Sequence, residues 1–129
     1  MMHSLITQGI RISVDVYYQP EYSKPMQSEF IFAYKIFIKN ESPYTVQLMR
    51  RHWYIFDSNG RQREVKGDGV IGKQPVLEPG ETHKYVSGCH LNTELGTMNG
   101  QYTFLRVKDG VLIEAAIPKF QLETPFKLN

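Results

Sequence analysis

Apolar residues alternate with polar ones at a period of two along most of the chain. Turn signals separate the runs, and no window of ten residues carries a helical stripe. These observations predict an all-β protein, a sandwich of about seven or more antiparallel strands. At 129 residues the chain reads as a single domain over 1–129, with its core over about 9–126, long enough to bury that core unaided.

Ile10, Ile12, Val14 and Val16 alternate with Arg11, Ser13 and Asp15, so residues 9–18 read as a half-buried strand. The polar loop Gln19-Pro20 to Pro25 ends it. Phe30, Phe32, Tyr34, Ile36 and Ile38 line one face of a second strand, and Asn40-Glu41-Ser42-Pro43 turns the chain into a third. There the phase changes, because Val46 and Leu48 are even and Trp53 and Ile55 odd. One face cannot bury both sets without an extra residue, which predicts a bulge near Met49-Arg50-Arg51. Asp57 to Gly60 is a turn, with Gly60 free to take positive φ, and a short strand follows from Arg61 to Val65. Pro79-Gly80 suits the centre of a type II turn. Residues 83–90 read as a strand, 91–97 as a connection, and Tyr102 and Phe104 mark the next strand. Asp109-Gly110 reads as a tight hairpin turn, followed by Val111, Ile113, Ala115 and Ile117 on the returning strand. Pro118 is expected to stop that strand, leaving 120–128 as a tail able to add an edge strand.

Two features narrow the class. Trp53 falls on the third strand, and Gly100-Gln101-Tyr102-Thr103-Phe104 has the shape of a tyrosine corner with Phe104 in the cysteine's place. Together they point to an immunoglobulin-like or fibronectin type III-like sandwich. Cys89 is the single cysteine, so the fold holds by packing, which suits a reducing cytosol.

Net charge is +2, with fifteen basic residues scattered along the chain, too diffuse a field for nucleic acid. No apolar run approaches the ~18–20 residues that cross a bilayer, and the first residues lack a signal-peptide pattern. A soluble, cytoplasmic protein with no membrane partner is expected. There is no G-x-S-x-G, no H-E-x-x-H and no cysteine in a recognisable nucleophile context, so neither enzymatic activity nor a cofactor is expected. His83, Cys89 and His90 are neighbours. On a strand, however, 83 and 89 lie about 20 Å apart and 89 and 90 face opposite ways, so no metal is expected.

The literal G-x-G-x-x-G at Gly67, Gly69 and Gly72 is the main functional question. A dinucleotide site needs a helix at the last glycine, and Pro75 and Pro79-Gly80 leave no room for one. Gly67 to Lys73 is also a near P-loop, but Gln74 stands where the Mg²⁺-binding hydroxyl belongs. Gly67, Asp68, Gly69, Gly72 and Lys73 are therefore read as a ligand or partner loop whose glycines set backbone shape. The alternative is a nest of bare amides binding phosphate or nucleotide, with Lys66 or Lys73 assisting. On the third strand His52, Tyr54 and Phe56 face away from Trp53 and, with Arg51, form a partner-facing candidate surface that Ile31 and Phe37 are expected to join. A protein partner is expected, and identical edge strands could also pair into a homodimer.

The chain resembles the ApaG family. The resemblance is carried by Phe32-Ala33-Tyr34 with Ile36, Ile38 and Asn40, by Gln47-Leu48 with Arg51 and Trp53, and by Glu64-Val65 with Gly67, Gly69, Val70 and Gly72. It continues through Gln74-Pro75, Pro79-Gly80-Glu81, Tyr85, Ser87-Gly88, Leu95-Gly96-Thr97-Met98, Gly100 and Tyr102. It implies a fibronectin type III-like sandwich and makes Gly67–Gly72 the family's glycine motif, a proposed pyrophosphate or nucleotide site without an assigned reaction. It also implies a genetic link to cobalt and magnesium resistance or efflux, and protein–protein contacts. It supplies no catalytic residue, and Lys73, Cys89 and His90 depart from some relatives.

Overall fold

Alternation at a period of two gives each strand one apolar face, and two sheets closing those faces on one another make the molecule. The computed structural model describes residues 2–125, so the part of the predicted tail at 126–128 lies outside the described residues. The strands are β1 His3–Thr7, β2 Ile10–Tyr18, β3 Phe30–Asn40, β4 Val46–Asp57, β5 Gln62–Asp68, β6 Val76–Leu77, β7 Thr82–Leu91, β8 Leu95–Arg106 and β9 Leu112–Glu123. One sheet runs β1-β2-β3-β7 and the other β5-β4-β8-β9, with β6 added to β4. All pairings are antiparallel. This is the expected sandwich of the immunoglobulin-like or fibronectin type III-like class.

Ile10, Ile12 and Val14 of β2, with Phe30, Phe32, Tyr34, Ile36 and Ile38 of β3, are all buried. Opposite them Trp53 meets Tyr102 and Phe120 edge-on at 6.2 and 6.0 Å, with Tyr34 tilted against it at 5.3 Å. The expected bulge is present: the β4–β8 register shifts between Leu48 and Arg50. Met49 is the extra residue, and both apolar sets of β4 stay inside. Beyond the bulge β4 also changes its outer partner, from β5 at 50–56 to β6 at 46–47.

The Glu81 amide donates to Glu78 O across Pro79-Gly80, and Gly80 has φ +90°, the expected type II geometry. Gly60 likewise takes positive φ, +93°. Several boundaries differ from expectation. Residues 3–7 form β1, joined to β2 by a two-residue turn in which Gln8 and Gly9 both have positive φ. The polar loop after β2 holds two single-turn 3₁₀ helices, Pro20–Tyr22 and Pro25–Gln27. The expected connection at 91–97 shrinks to 92–94, because β7 and β8 extend into it. The hairpin at Asp109-Gly110 is wider than a two-residue turn, closed by Arg106 and Val111. Pro118 does not stop β9. The strand is at a sheet edge, and it absorbs the proline in a second bulge opposite Asn99, after which Phe120 and Leu122 are buried. The tyrosine-corner reading is also corrected, since the Tyr102 hydroxyl meets the Tyr85 hydroxyl across the core. A corner would bond it to nearby backbone.

The two sides of the sandwich are unlike. On one side β1 and β2 pack on β9, and the Ala116 amide donates to Thr7 Oγ1. On the other side β5 and β7 are the outermost strands of opposite sheets, and a cleft opens between them.

Candidate functional site

The glycine motif does three separate local jobs. Gly67 lies within β5, opposite Arg51 of β4. A Cβ there would come within 2.8 Å of the Arg51 guanidinium, so the missing side chain is the space the arginine occupies. Arg51 Nη1 then donates to Asp68 O at 2.9 Å and Gly69 O at 3.0 Å. Gly69, with φ +61°, passes so close to Lys73 that a Cβ would lie 2.0 Å from its carbonyl oxygen. Ile71 and Gly72 both have positive φ, 47° and 71°. They form the centre of a type I′ turn closed by reciprocal bonds between Val70 and Lys73 of 2.8 and 3.0 Å.

The bulge anchors this hairpin. Met49 O accepts the Gly69 amide at 2.9 Å and Gln74 Nε2 at 3.0 Å, and the Leu48 amide donates to Pro75 O. The amides of Gly69, Val70 and Lys73 are thus spent inside the fold. Those of Ile71 and Gly72 carry no intrachain hydrogen bond among the described residues.

The hairpin caps the cleft, which encloses about 320 Å³. Register decides what lines it. Arg63, Val65 and Gly67 pair with Ile55, Trp53 and Arg51 and share their inward face, while β7 contributes Tyr85, Ser87 and Cys89 from the facing sheet. At the end away from the hairpin Arg63 bridges the two sheets, donating through Nη2 to His90 O and lying 3.8 Å from Cys89 Sγ.

Arg51 and Arg63 are the cationic side chains of the cleft lining, and the charge of Asp57 is felt at Cys89, beside Arg63. The lining itself contains no carboxylate. The ion pairs among the described residues are Arg11–Glu41, His52–Glu64 and Arg106–Asp109, so neither arginine is neutralised by an acid. Burial raises the Tyr34, Tyr85 and Tyr102 hydroxyls, and the positive charge of Arg51 opposes this only in part. These groups stay neutral donors near pH 7. Burial likewise raises the Cys89 thiol, with Arg63 pulling the other way, so the sulfur is held as a thiol and not as a nucleophilic thiolate.

The other predicted residues scatter. Asp68 ends β5 and is exposed. Lys73 closes the turn near His83, whose pKa is lowered by burial and then by the charge of Lys73. His52, Tyr54 and Phe56 do share the outer face of β4, where His52 Nε2 pairs with Glu64 at 2.7 Å and stacks on Tyr54 at 4.4 Å. Arg51 is not with them, because its odd position turns it into the cleft. Nor do Ile31 and Phe37 join them. β3 belongs to the other sheet, which puts its outer face on the opposite side of the molecule. Among the described residues no group of three or more His, Cys, Asp or Glu side chains could hold a metal ion. None of their helices is long and apolar enough to cross a membrane. Arg63, Val65, Tyr85 and Ser87 were missed as site residues. The signal was their odd parity with Trp53, which becomes informative only once β5 and β7 are known to face one another.

Comparison with known proteins gives a consistent result. The model of the ApaG domain matches residues 20–106. Protein ApaG of Beijerinckia indica is 50% identical over 125 residues, covering 97% of this chain and 95% of the relative. Protein ApaG of Brucella abortus is 44% identical over 124 residues, covering 96% and 95%. A crystal structure described as the ApaA protein of Bordetella pertussis superposes with a TM-score of 0.88 at 42% identity, covering 92% of this chain and 95% of that one. A second X-ray structure, of a structural genomics target, gives 0.86 at 37% identity, covering 93% and 90%. Sequence and fold agree, and the chain belongs to the ApaG family.

Proposed function

We propose that the protein is a non-enzymatic binding module that docks an extended segment of a partner protein along the β5–β7 side. The observation that carries this reading is that β5 and β7, outermost strands of opposite sheets, flank a lined cleft, whereas β1 and β9, the other two outermost strands, pack on one another. An unpaired edge offers main-chain donors and acceptors to an added strand, and a neighbouring cavity receives alternate side chains of that strand. Val65, 38% exposed, and Ile71, 60% exposed at the hairpin tip, supply apolar surface beside it. A fold with one thiol and no disulfide suits a reducing cytoplasm, and the partner is sought there. Any connection to cobalt or magnesium handling then runs through the partner, not through an ion held by this chain.

The alternative, a phosphate or nucleotide bound by the glycine loop, retains only the Ile71 and Gly72 amides with Lys73 beside them, since Lys66 pairs with His52 on β4. The three inward amides count against it. Affinity capture from the native cell followed by mass spectrometry tests the docking reading. A Ser87→Trp variant, which fills the cleft, should lose partners that a Tyr54→Ser variant on the outer face keeps. An unchanged set of partners with Ser87→Trp contradicts the reading.

A further inference from the structure

The two cleft arginines are set at a spacing that an extended chain can read. Arg51 lies opposite Gly67, so relative to Arg63 on β5 it stands four residues further along the strand direction, roughly 13 Å at ~3.3 Å per residue. Between them the lining is apolar, formed by the Trp53–Val65 pair. Each guanidinium is anchored through one terminal nitrogen on backbone carbonyls, Arg51 on Asp68 O and Gly69 O and Arg63 on His90 O. Anchoring of that kind fixes the orientation of the planar group while leaving its other N–H donors uncommitted. Charge without an acid partner, a fixed fork and a neutral middle make a surface complementary to two carboxylates with an apolar side chain between them.

We propose that the cleft recognises an acidic extended segment in which two Asp or Glu residues, four positions apart, flank an apolar residue. In a strand, positions i, i+2 and i+4 share a face. The two carboxylates would meet Arg63 and Arg51 while the central side chain rests on Val65 and Trp53. This specification rests on the docking of an extended segment proposed above and goes further in naming the chemistry of that segment. The volume agrees with it. About 320 Å³ is at the low end of small-molecule sites, ~300–1,000 Å³, and suits a few side chains better than a whole dinucleotide.

The test titrates the full chain with designed peptides and reads fluorescence anisotropy together with amide shifts of β5 and β7. One peptide carries glutamate at its third and seventh positions with valine at the fifth. A second replaces both glutamates by glutamine, and a third moves one glutamate so that they stand three apart and face opposite ways. The glutamate peptide should bind about tenfold more tightly than the glutamine peptide, and most of that advantage should vanish at three-residue spacing. Arg63→Gln should remove most of the advantage as well. It is the deciding variant, since Arg51 also anchors the hairpin. Equal binding of glutamate and glutamine peptides at β5 and β7 would overturn the acidic specificity while leaving the docking reading intact. No shift in either strand with any peptide would overturn both. Inorganic pyrophosphate displacing the glutamate peptide from the cleft at lower concentration than the peptide itself would overturn the proposal in favour of a small anion.

Discussion

Gly69 and Gly72 sit three positions apart in one motif, yet their surroundings differ. At Gly69 a Cβ would strike a backbone oxygen 2.0 Å away, and φ is already +61°. At Gly72 φ is +71° with nothing within 4 Å of the added atom. Gly69→Ala should therefore cost about 2 kcal/mol or more in denaturant unfolding, whereas Gly72→Asn, which tolerates the left-handed region, should cost under about 1 kcal/mol. Equal costs at both positions would contradict the assigned geometry. The tyrosine pair offers a second comparison at this scale. Tyr102 is fully buried, while Tyr85 lines the cleft. Tyr85→Phe strands a buried hydroxyl and should cost about 1–3 kcal/mol, more than Tyr102→Phe, whose remaining partner can reach water. The double variant should recover part of the loss, and a thermodynamic cycle measured by urea unfolding would expose strict additivity if the pair does not interact.

The Met49 bulge shows most clearly how an element serves the site. It keeps Val46, Leu48, Trp53 and Ile55 all inside, and its carbonyl holds both Gly69 and Gln74. Deleting Met49 should force one apolar pair to the outer face, lowering the melting temperature by ten degrees or more on the order expected for several kcal/mol. A wild-type melt from the deletion would show that the phase change has another origin. This bulge was legible beforehand because parity in a half-buried strand leaves one solution. β1 was not, because its residues are nearly all exposed and its adjacent Leu5-Ile6 carries no alternation. Pro118 misled for a related reason, since a proline forbids a central strand but not a bulged edge, and edge status emerges only from the full pairing order. The cleft was invisible in the chain for the same reason. Arg51 and Arg63 become neighbours of Tyr85 and Cys89 only when two sheets close.

Across the whole molecule the folded state resists protonation at His83, which burial and the charge of Lys73 both disfavour. A histidine whose folded pKa is depressed leaves the unfolded chain binding more protons as pH falls below its ordinary value of 6.5. Stability should decline through that window and level off once folded His83 is itself protonated. His83→Gln should flatten this part of a pH–stability curve measured in urea, and an unchanged slope would assign the dependence elsewhere. The larger consequence of the architecture is a division of labour. The glycine motif commits its backbone to holding a hairpin and an arginine in place, and the proposed recognition is assigned to the cleft that they frame. Titrating isotope-labelled protein with pyrophosphate at millimolar concentration, followed residue by residue in amide spectra, tests that division most directly. The account predicts that the amides of Gly69, Val70 and Lys73, already bonded within the chain, stay where they are. If those three amides shift first and saturate together, the motif is a phosphate cradle and the account is wrong.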